Sequence, residues 1–333
     1  MDLGSKSAIF FGHVNVGKST FLGHTLKKMG FINDHDFDVL TEMATVNKKS
    51  RSVFAYILDI TAEEQSTGNT MEYNVQCITY QNVKYTFYDT PGHRQFIKHF
   101  IDAVYAGAST GVLLVSAEPH EFQSSLTSGV VKEYSIICRC AGIRNLVVVI
   151  NKMDKIEWGD YSAIQMTVEE IVKPIGYKAK YIVCNGFTGE GLTSRTKKYP
   201  NIPCLIEVLS SDQTRILSSD IYQTSSGFSF EKLVSQCDIR IKIFRQTFIT
   251  AGWSGVCHFM ITNGSGSGSG SGSGIEIVTV ESVRDKTNLP TLFVKEGEAV
   301  LQIKFDTPVQ LRNNDRIILR NGDETIAGGL VLL

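Results

Sequence analysis

The sequence has little of what marks a disordered, secreted or membrane protein. Only seven of its 333 residues are proline, and 42% are hydrophobic against 20% charged, which argues against a long disordered tract. No apolar run is long enough to span a bilayer, and the opening segment MDLGSKSAIFFGHV has no charged stretch followed by an apolar one. We therefore expect no membrane partner and a cytoplasmic location.

The chain also lacks an excess of charge of either sign and any paired cysteine motif. Its formal net charge is −1, so general electrostatic attraction to RNA or to a membrane surface is not expected. The seven cysteines are odd in number and none forms a CxxC pair. This pattern is typical of reduced core residues in a cytosolic protein rather than of zinc ligands or disulfides.

What the sequence does contain is a change of pattern along its length, and the length itself favours two domains. In residues 1–211 short apolar runs alternate with longer amphipathic ones, which predicts an α/β domain with a mostly parallel sheet. Residues 212–229 are rich in serine and threonine and indicate an interdomain linker. Residues 230–333 contain short alternating segments separated by turns, the pattern of a small antiparallel β-barrel.

Two further expectations concern local structure. Strict glycine-serine alternation over 264–274 is typical of an engineered linker, with a natural low-complexity loop as the alternative, and we exclude it from functional reasoning. The strands expected in the first domain are Ala8–Gly12, Met71–Tyr80, Val83–Asp89, Gly111–Ser116, Asn145–Asn151 and Lys180–Cys184.

The first motif, GxxxxGK[ST], follows the apolar run AIFF directly and precedes a segment compatible with a helix. Backbone N–H groups of such a P-loop wrap phosphates, and the helix N-terminus adds its dipole. Lys18 should reach the β and γ phosphates and Ser19 should ligate Mg²⁺; an ordinary strand-to-helix turn is the alternative. The predicted phosphate-binding residues are Gly12, His13, Val14, Asn15, Val16, Gly17, Lys18, Ser19 and Thr20.

The second motif, DTPGH, begins at the last residue of a predicted strand. Asp89 is expected to hold Mg²⁺, through water, and the Gly92 amide to sense the γ phosphate, although DTPG is also a plausible turn. Upstream, Thr70 is the preferred candidate for a second hydroxyl ligand of the metal, with Thr67 as its competitor and a solvated loop as the alternative.

The third motif, Asn151 to Asp154, again follows a buried strand. A carboxylate at Asp154 accepts hydrogen bonds from N1–H and the exocyclic amine of guanine, whereas adenine has no matching pair of donors. Lys152 is expected to cover the ring and Asn151 to tie this loop to the P-loop. A following segment with Asn185, Gly186 and Phe187 is a candidate for backbone contacts to the base, or a simple strand-to-helix loop. Three motifs in this order predict binding of GTP and GDP.

With these motifs assembled, the first 210 residues resemble the translational GTPases of the elongation factor one-alpha, eukaryotic release factor three and Hbs type, most clearly in GHVNVGKST, DTPGHRQFIKHFI and VVVINKMD. The resemblance implies that His93 orients or activates the water that attacks the γ phosphate. Segments such as FVKEGEAVLQIKFDTPVQL are similar to the third domain of these factors. Two departures stand out: Asn15 replaces an aspartate, and Asn185 replaces a small residue, which makes the base contact there less secure.

The resemblance also bounds the function. The stretch between Ser211 and Phe230 has no room for the family's usual second barrel, which argues against delivery of aminoacyl-tRNA. The favoured hypothesis is a GTPase switch that acts with the ribosome or with a release- or rescue-factor-like protein. A GTP-responsive binding module or decoy of the translation machinery is the alternative, and an ATPase or kinase is disfavoured by Asp154.

Overall fold

The structure, a computed structural model, describes residues 4–46, 53–58, 72–156, 160–211, 232–261 and 272–333. The chain divides into two compact units, the first formed mainly by residues before 212 and the second mainly by residues after 231. The predicted linker 212–229 and residues 264–271 of the glycine-serine stretch lie outside the described residues.

The first unit is built on a six-stranded sheet. Its strands are β1 (Ser5–Phe11), β2 (Asn74–Tyr80), β3 (Val83–Asp89), β4 (Thr110–Ser116), β5 (Asn145–Asn151) and β6 (Lys180–Val183). The strand order is β2-β3-β1-β4-β5-β6. Within this sheet β2 pairs antiparallel with β3, and the other neighbouring strands pair in parallel.

A two-residue turn joins β2 to β3, helices lie in the other connections between strands, and short 3₁₀ turns at Arg94–Phe96 and Met153–Lys155 follow β3 and β5. The central strands are almost wholly buried, as parallel strands are when helices cover both faces of a sheet. The helices are α1 (Lys18–Lys28), α2 (Asp34–Val46), α3 (Val53–Tyr56), α4 (Ile97–Tyr105), α5 (Pro119–Thr127), α6 (Val130–Cys140), α7 (Asp160–Ile175) and α8 (Leu205–Ser211).

The carboxyl ends of the parallel strands meet at one edge of this sheet. β1 lies between β3 and β4. The connection after β1 leads to a strand on one side of β1, and the connection after β3 leads to a strand on its other side. Ligands of open α/β sheets bind in the crevice that this reversal creates. The three sequence motifs and the candidate base loop all follow strands at this edge.

The second unit is a closed antiparallel barrel with the strand order β10-β12-β7-β14-β13-β9. Alternate residues of its strands, among them Ile239, Leu301 and Ile317, form a core in which these three side chains are fully buried. A short two-stranded sheet pairs β8 with β11. The strands are β7 (Lys232–Ile243), β8 (Ile249–Thr250), β9 (Ser254–Ile261), β10 (Gly272–Asp285), β11 (Phe293–Val294), β12 (Gly297–Leu311), β13 (Arg316–Asn321) and β14 (Glu324–Leu332).

The predicted fold class, a mostly parallel α/β domain followed by a small antiparallel barrel, is confirmed. Several strands of the first unit begin or end one to three residues from their predicted bounds. In the barrel, β10 begins at Gly272, so the last three residues of the glycine-serine stretch pair with Phe259, Met260 and Ile261 of β9. A Cβ at Gly274 would overlap the ring of Phe259, so glycine permits this pairing. Every cysteine except Cys77 is buried. Among the helices that the described residues form, none has the length and hydrophobicity of a membrane span.

Candidate functional site

The P-loop connects β1 to α1 and contains three residues with a positive φ, Gly12, Asn15 and Gly17. Gly17, immediately before the helix, has a left-handed φ of 88°, and a Cβ there would lie 2.9 Å from Nδ2 of Asn151. Glycine therefore suits both the left-handed backbone conformation and the lack of space for a side chain at this position. Asn15 is also left-handed, with a φ of 67°, a conformation that asparagine tolerates better than most residues. Thr20 follows in the first turn of α1 and is half-buried.

The side chain of Lys18 is buried inside this loop. Its ammonium donates hydrogen bonds to the backbone oxygens of Gly12, at 3.1 Å, and His13, at 3.0 Å. Burial lowers the pKa of Lys18 to about 8, and the charge of Asp89 opposes this shift. Burial also lowers the pKa of His13. An anion bound in the loop would offset the desolvation of the Lys18 ammonium, so the site favours phosphate.

The end of β3 lies against the P-loop. The Ser19 hydroxyl donates to a carboxylate oxygen of the fully buried Asp89 at 2.9 Å. The Thr90 hydroxyl donates to the Phe10 backbone oxygen at 2.7 Å and so ties the segment after β3 to β1. A Cβ built on Gly92 would lie 3.0 Å from the Val14 nitrogen, so this glycine allows the DTPG segment to approach the P-loop closely.

Oxygen ligands suited to Mg²⁺ are therefore brought together at Ser19 and Asp89. A hydroxyl and a carboxylate are hard donors, and a magnesium site next to phosphates needs only one or two protein ligands. The donor set fits this metal. The expected ligand Thr70 and its competitor Thr67 lie outside the described residues.

His93 follows Gly92 directly and has an exposed side chain. Its Nδ1 accepts a long hydrogen bond, 3.4 Å, from the Gln95 backbone nitrogen at the start of the 3₁₀ turn. The His93 backbone oxygen accepts from the Tyr134 hydroxyl at 3.4 Å. The backbone of His93 is thus anchored while its ring faces solvent, so the ring can turn towards the P-loop.

The Asn151 side chain joins two loops of the site. It is buried, its amide donates to the Val16 backbone oxygen at 2.9 Å, and its oxygen accepts from the Gly186 nitrogen at 2.8 Å. The loop after β6 is thereby connected to the P-loop through a residue at the end of β5. Asn151 is the last residue of β5, so the sheet sets the position from which its side chain spaces the two loops.

Lys152 and Asp154 extend from the loop after β5. The Lys152 ammonium donates to the Asn15 backbone oxygen at 2.7 Å, and its own backbone is left-handed, with a φ of 62°. Asp154 is half-exposed in the 3₁₀ turn, where Oδ1 accepts from the Asn185 amide at 2.7 Å and Oδ2 lies 3.6 Å from the Lys155 ammonium. The Asp154 carboxylate is thus held from one side and open to solvent on the other.

Asn185 organises the loop after β6 through its side chain, and the expected weakness of the base contact there stays a prediction. Besides its bond to Asp154, its side-chain oxygen accepts from the backbone nitrogens of Phe187, at 3.0 Å, and Thr188, at 3.1 Å. Asn185 is buried, whereas the Phe187 side chain is 70% exposed. A small residue would not make all three hydrogen bonds, so asparagine is a good fit here.

Two residues that the motifs do not contain also contact the site. Glu121 of α5 pairs with Lys152 through both carboxylate oxygens. A ring nitrogen of His24 lies 2.9 Å from the Gly186 oxygen, and the His24 ring stacks on Phe54 with 3.8 Å between centroids. The sequence offers only a weak signal for Glu121, its place in the first turn of a helix that starts at Glu118-Pro119. We find no signal for His24.

Comparison with known sequences gives one family for most of the chain. Residues 5–244 match the family described as elongation factor Tu GTP binding domain. Elongation factor 1-alpha of Ignicoccus hospitalis is 32% identical over 213 residues, which are 61% of this chain and 48% of the relative. Elongation factor 1-alpha of Staphylothermus marinus is 33% identical over a stretch of the same length and coverage. The chain thus spans about half the length of the curated relatives it matches.

Comparison with solved structures extends the likeness over both units. The crystal structure of the S. cerevisiae Ski7 GTPase-like domain bound to GTP has a TM-score of 0.65 and covers 98% of this chain and 97% of its own. Sequence identity is 14%, so this similarity shows a shared fold.

Proposed function

We propose that this chain, which belongs to the elongation factor Tu GTP binding domain family, is a molecular switch that binds GTP and hydrolyses it to GDP and phosphate. The observation that carries the proposal is the convergence of three loops at one edge of the sheet. Ser19 bonds to Asp89, Asn151 bonds to the P-loop backbone at Val16, and Lys152 bonds to it at Asn15. Loops that hold each other in this way form one pocket for a triphosphate and a base.

Guanine is the base that the proposal assigns to the pocket. The Asp154 carboxylate, held through the Asn185 amide, retains lone pairs for the two adjacent donors of guanine, N1–H and the exocyclic amine. Adenine presents no such pair of donors and would leave the carboxylate unsatisfied. The Lys152 stem is proposed to cover the ring, and the backbone of Gly186 and Phe187 to border it.

The phosphates are assigned to the P-loop. Lys18 would exchange its bonds to the Gly12 and His13 oxygens for phosphate oxygens, and the Gly92 amide would contact the γ phosphate. Ser19 and Asp89 would hold Mg²⁺, directly and through water, with Thr70 as the proposed second hydroxyl ligand. When bound, Mg²⁺ supplies charge neutralisation between the β and γ phosphates.

His93 is proposed to position the attacking water. It follows the glycine that is proposed to contact the γ phosphate. Its exposed ring accepts one long hydrogen bond and meets the edge of the Phe96 ring with 6.3 Å between centroids, and this loose hold supports a movement towards an in-line water. Loss of the γ phosphate would release the contacts at Gly92 and Thr70, and this release is the switching event.

We further propose that the chain is a translation factor that acts in the cytoplasm with the ribosome or with a release- or rescue-factor-like protein. Residues 1–211 would serve as the GTP-binding domain, 212–229 as linker and 230–333 as a barrel like the third domain of such factors. A GTP-responsive binding module or decoy with little hydrolysis is the second candidate. It is favoured by Asn15 in place of aspartate and by the short stretch between Ser211 and Phe230, which has no room for a second barrel. The same stretch speaks against delivery of aminoacyl-tRNA.

The test measures nucleotide binding and turnover by the intact chain. We expect GTP and GDP to bind in preference to ATP, slow hydrolysis of GTP alone, and faster hydrolysis when ribosomes are added. Equal affinity for ATP and GTP would refute the guanine site. Tight GTP binding with no hydrolysis, with or without ribosomes, would instead favour the binding module.

A further inference from the structure

An ion pair links helix α5 to the loop that follows β5. The Lys152 ammonium lies 2.6 Å from Oε1 and 2.7 Å from Oε2 of Glu121, in addition to its bond to the Asn15 backbone oxygen. Both side chains of the pair are only 29% exposed. An ammonium has three protons to donate, so these contacts engage it fully.

The position of Glu121 is itself fixed by the start of its helix. The Glu118 side chain caps α5, accepting hydrogen bonds from the backbone nitrogens of His120, at 3.2 Å, and Glu121, at 2.6 Å. Pro119 occupies the first turn, where its ring fits the helical backbone and its missing N–H costs nothing. An acidic side chain in the first turn is also stabilised by the helix dipole. Glu121 therefore presents its carboxylate from a rigid element.

We propose that Glu121 is a positioning residue for guanine-nucleotide binding: it holds the Lys152 ammonium against the P-loop so that the methylene stem of this lysine stays in place beside the base. The inference rests on the proposed function, since it assigns Lys152 to the base. Glu121 does not contact the nucleotide in this arrangement. It restricts Lys152 to few rotamers before the nucleotide binds, so less side-chain conformational entropy is lost on binding.

The competing explanation is an ion pair without consequence for binding, because many partly exposed pairs contribute little to stability. The two explanations differ in one respect. If Glu121 acts through Lys152, its removal weakens binding only while Lys152 is present. A double-mutant cycle measures this dependence.

The experiment measures the GDP dissociation constant and dissociation rate of the full chain and of Glu121→Ala, Lys152→Ala and the double variant. We expect Glu121→Ala to weaken GDP binding about tenfold, chiefly through faster dissociation. In the Lys152→Ala background the Glu121 substitution should change the dissociation constant by less than about twofold. Glu170→Ala, an exposed glutamate of α7, is the matched control and should bind like the parent.

Two results would overturn the inference alone: GDP binding by Glu121→Ala equal to that of a parent that does bind GDP, or effects of the two substitutions that multiply in the double variant. A parent chain without GDP binding contradicts the proposed function and the inference with it. Glu121→Gln keeps the side-chain shape and an acceptor oxygen, so we expect an intermediate effect, and it provides the test if the alanine variant has a lowered Tm.

Discussion

Substitution of Asp154 by asparagine probes the proposed base contact at a single carboxylate. In the parent, Oδ1 of Asp154 accepts from the Asn185 amide at 2.7 Å, which leaves the rest of the carboxylate for the base. After Asp154→Asn, the side-chain oxygen can still accept from Asn185, and the new amide group then faces the exocyclic amine of guanine. Two donors would oppose each other, and the negative charge would be gone.

The expected loss of GDP affinity follows from the two hydrogen bonds that the Asp154 carboxylate would no longer accept from guanine. A hydrogen bond to a charged group contributes about 1.5–3 kcal/mol, so two such bonds amount to about 3–6 kcal/mol. The Asp154 side chain is 49% exposed, and water competes for it, so we take the lower end. About 3 kcal/mol corresponds to a loss of affinity for GDP of about 150-fold. Xanthine carries a carbonyl oxygen where guanine has its amine, so the same variant should gain affinity for xanthosine diphosphate.

Titration calorimetry with GDP and xanthosine diphosphate measures both changes. Asp306→Asn, at an exposed position of β12 in the barrel, controls for the change of net charge. GDP affinity in Asp154→Asn equal to that of the parent would refute the assignment of Asp154 to the base. A loss for GDP without a gain for the xanthine nucleotide would show that the substitution disrupts the loop instead of changing its selectivity.

Three further predictions concern other parts of the molecule. His93→Ala should bind GTP like the parent and lose ribosome-stimulated hydrolysis in a phosphate-release assay, and equal rates would remove His93 from the mechanism. The pKa of Lys18 is about 8 in the folded chain, against an ordinary value of about 10.5 for a lysine in water. Between pH 8 and pH 10.5 the unfolded chain therefore binds more protons than the folded chain. The free energy of unfolding should then rise across pH 8 to 10.5 by up to about 3 kcal/mol relative to Lys18→Met, measured by denaturant titration, and parallel pH profiles would contradict this. Leu301→Ala, in the barrel core, should lower the free energy of unfolding by about 2–5 kcal/mol, measured in the same way, and leave GDP affinity unchanged; a weakened GDP affinity would contradict the independence of the two effects.

The fold and the outline of the site were predictable because they depend on local patterns. Continuous apolar runs such as NLVVVIN identify buried parallel strands, and motifs that follow such strands must meet at the same edge of the sheet. The hydrogen bond between Asn151 and the P-loop is a consequence of that geometry. The direction of β2 was not predicted, since a half-buried alternating strand has the same pattern whether it pairs in parallel or antiparallel.

The contacts between side chains of different elements were not predictable in the same way. Glu121 meets Lys152 because the cap at Glu118 sets where α5 begins and how its first turn is rotated, which periodicity does not determine. The expectation for Asn185 considered only its size, whereas the structure gives its amide three hydrogen-bond partners. The role of such a residue depends on which hydrogen-bonding groups lie within the length of its side chain, and the assembled fold determines this.

The bridge that Asn151 forms between the P-loop and the loop after β6 has a consequence for the kinetics of nucleotide exchange. Because a side chain of the protein joins the two loops, the entropy of arranging them is lost during folding and need not be lost again at each round of exchange. Release and rebinding of a nucleotide would then leave the spacing of these two loops unchanged. Any event that separates these loops would have to break both hydrogen bonds of the Asn151 side chain.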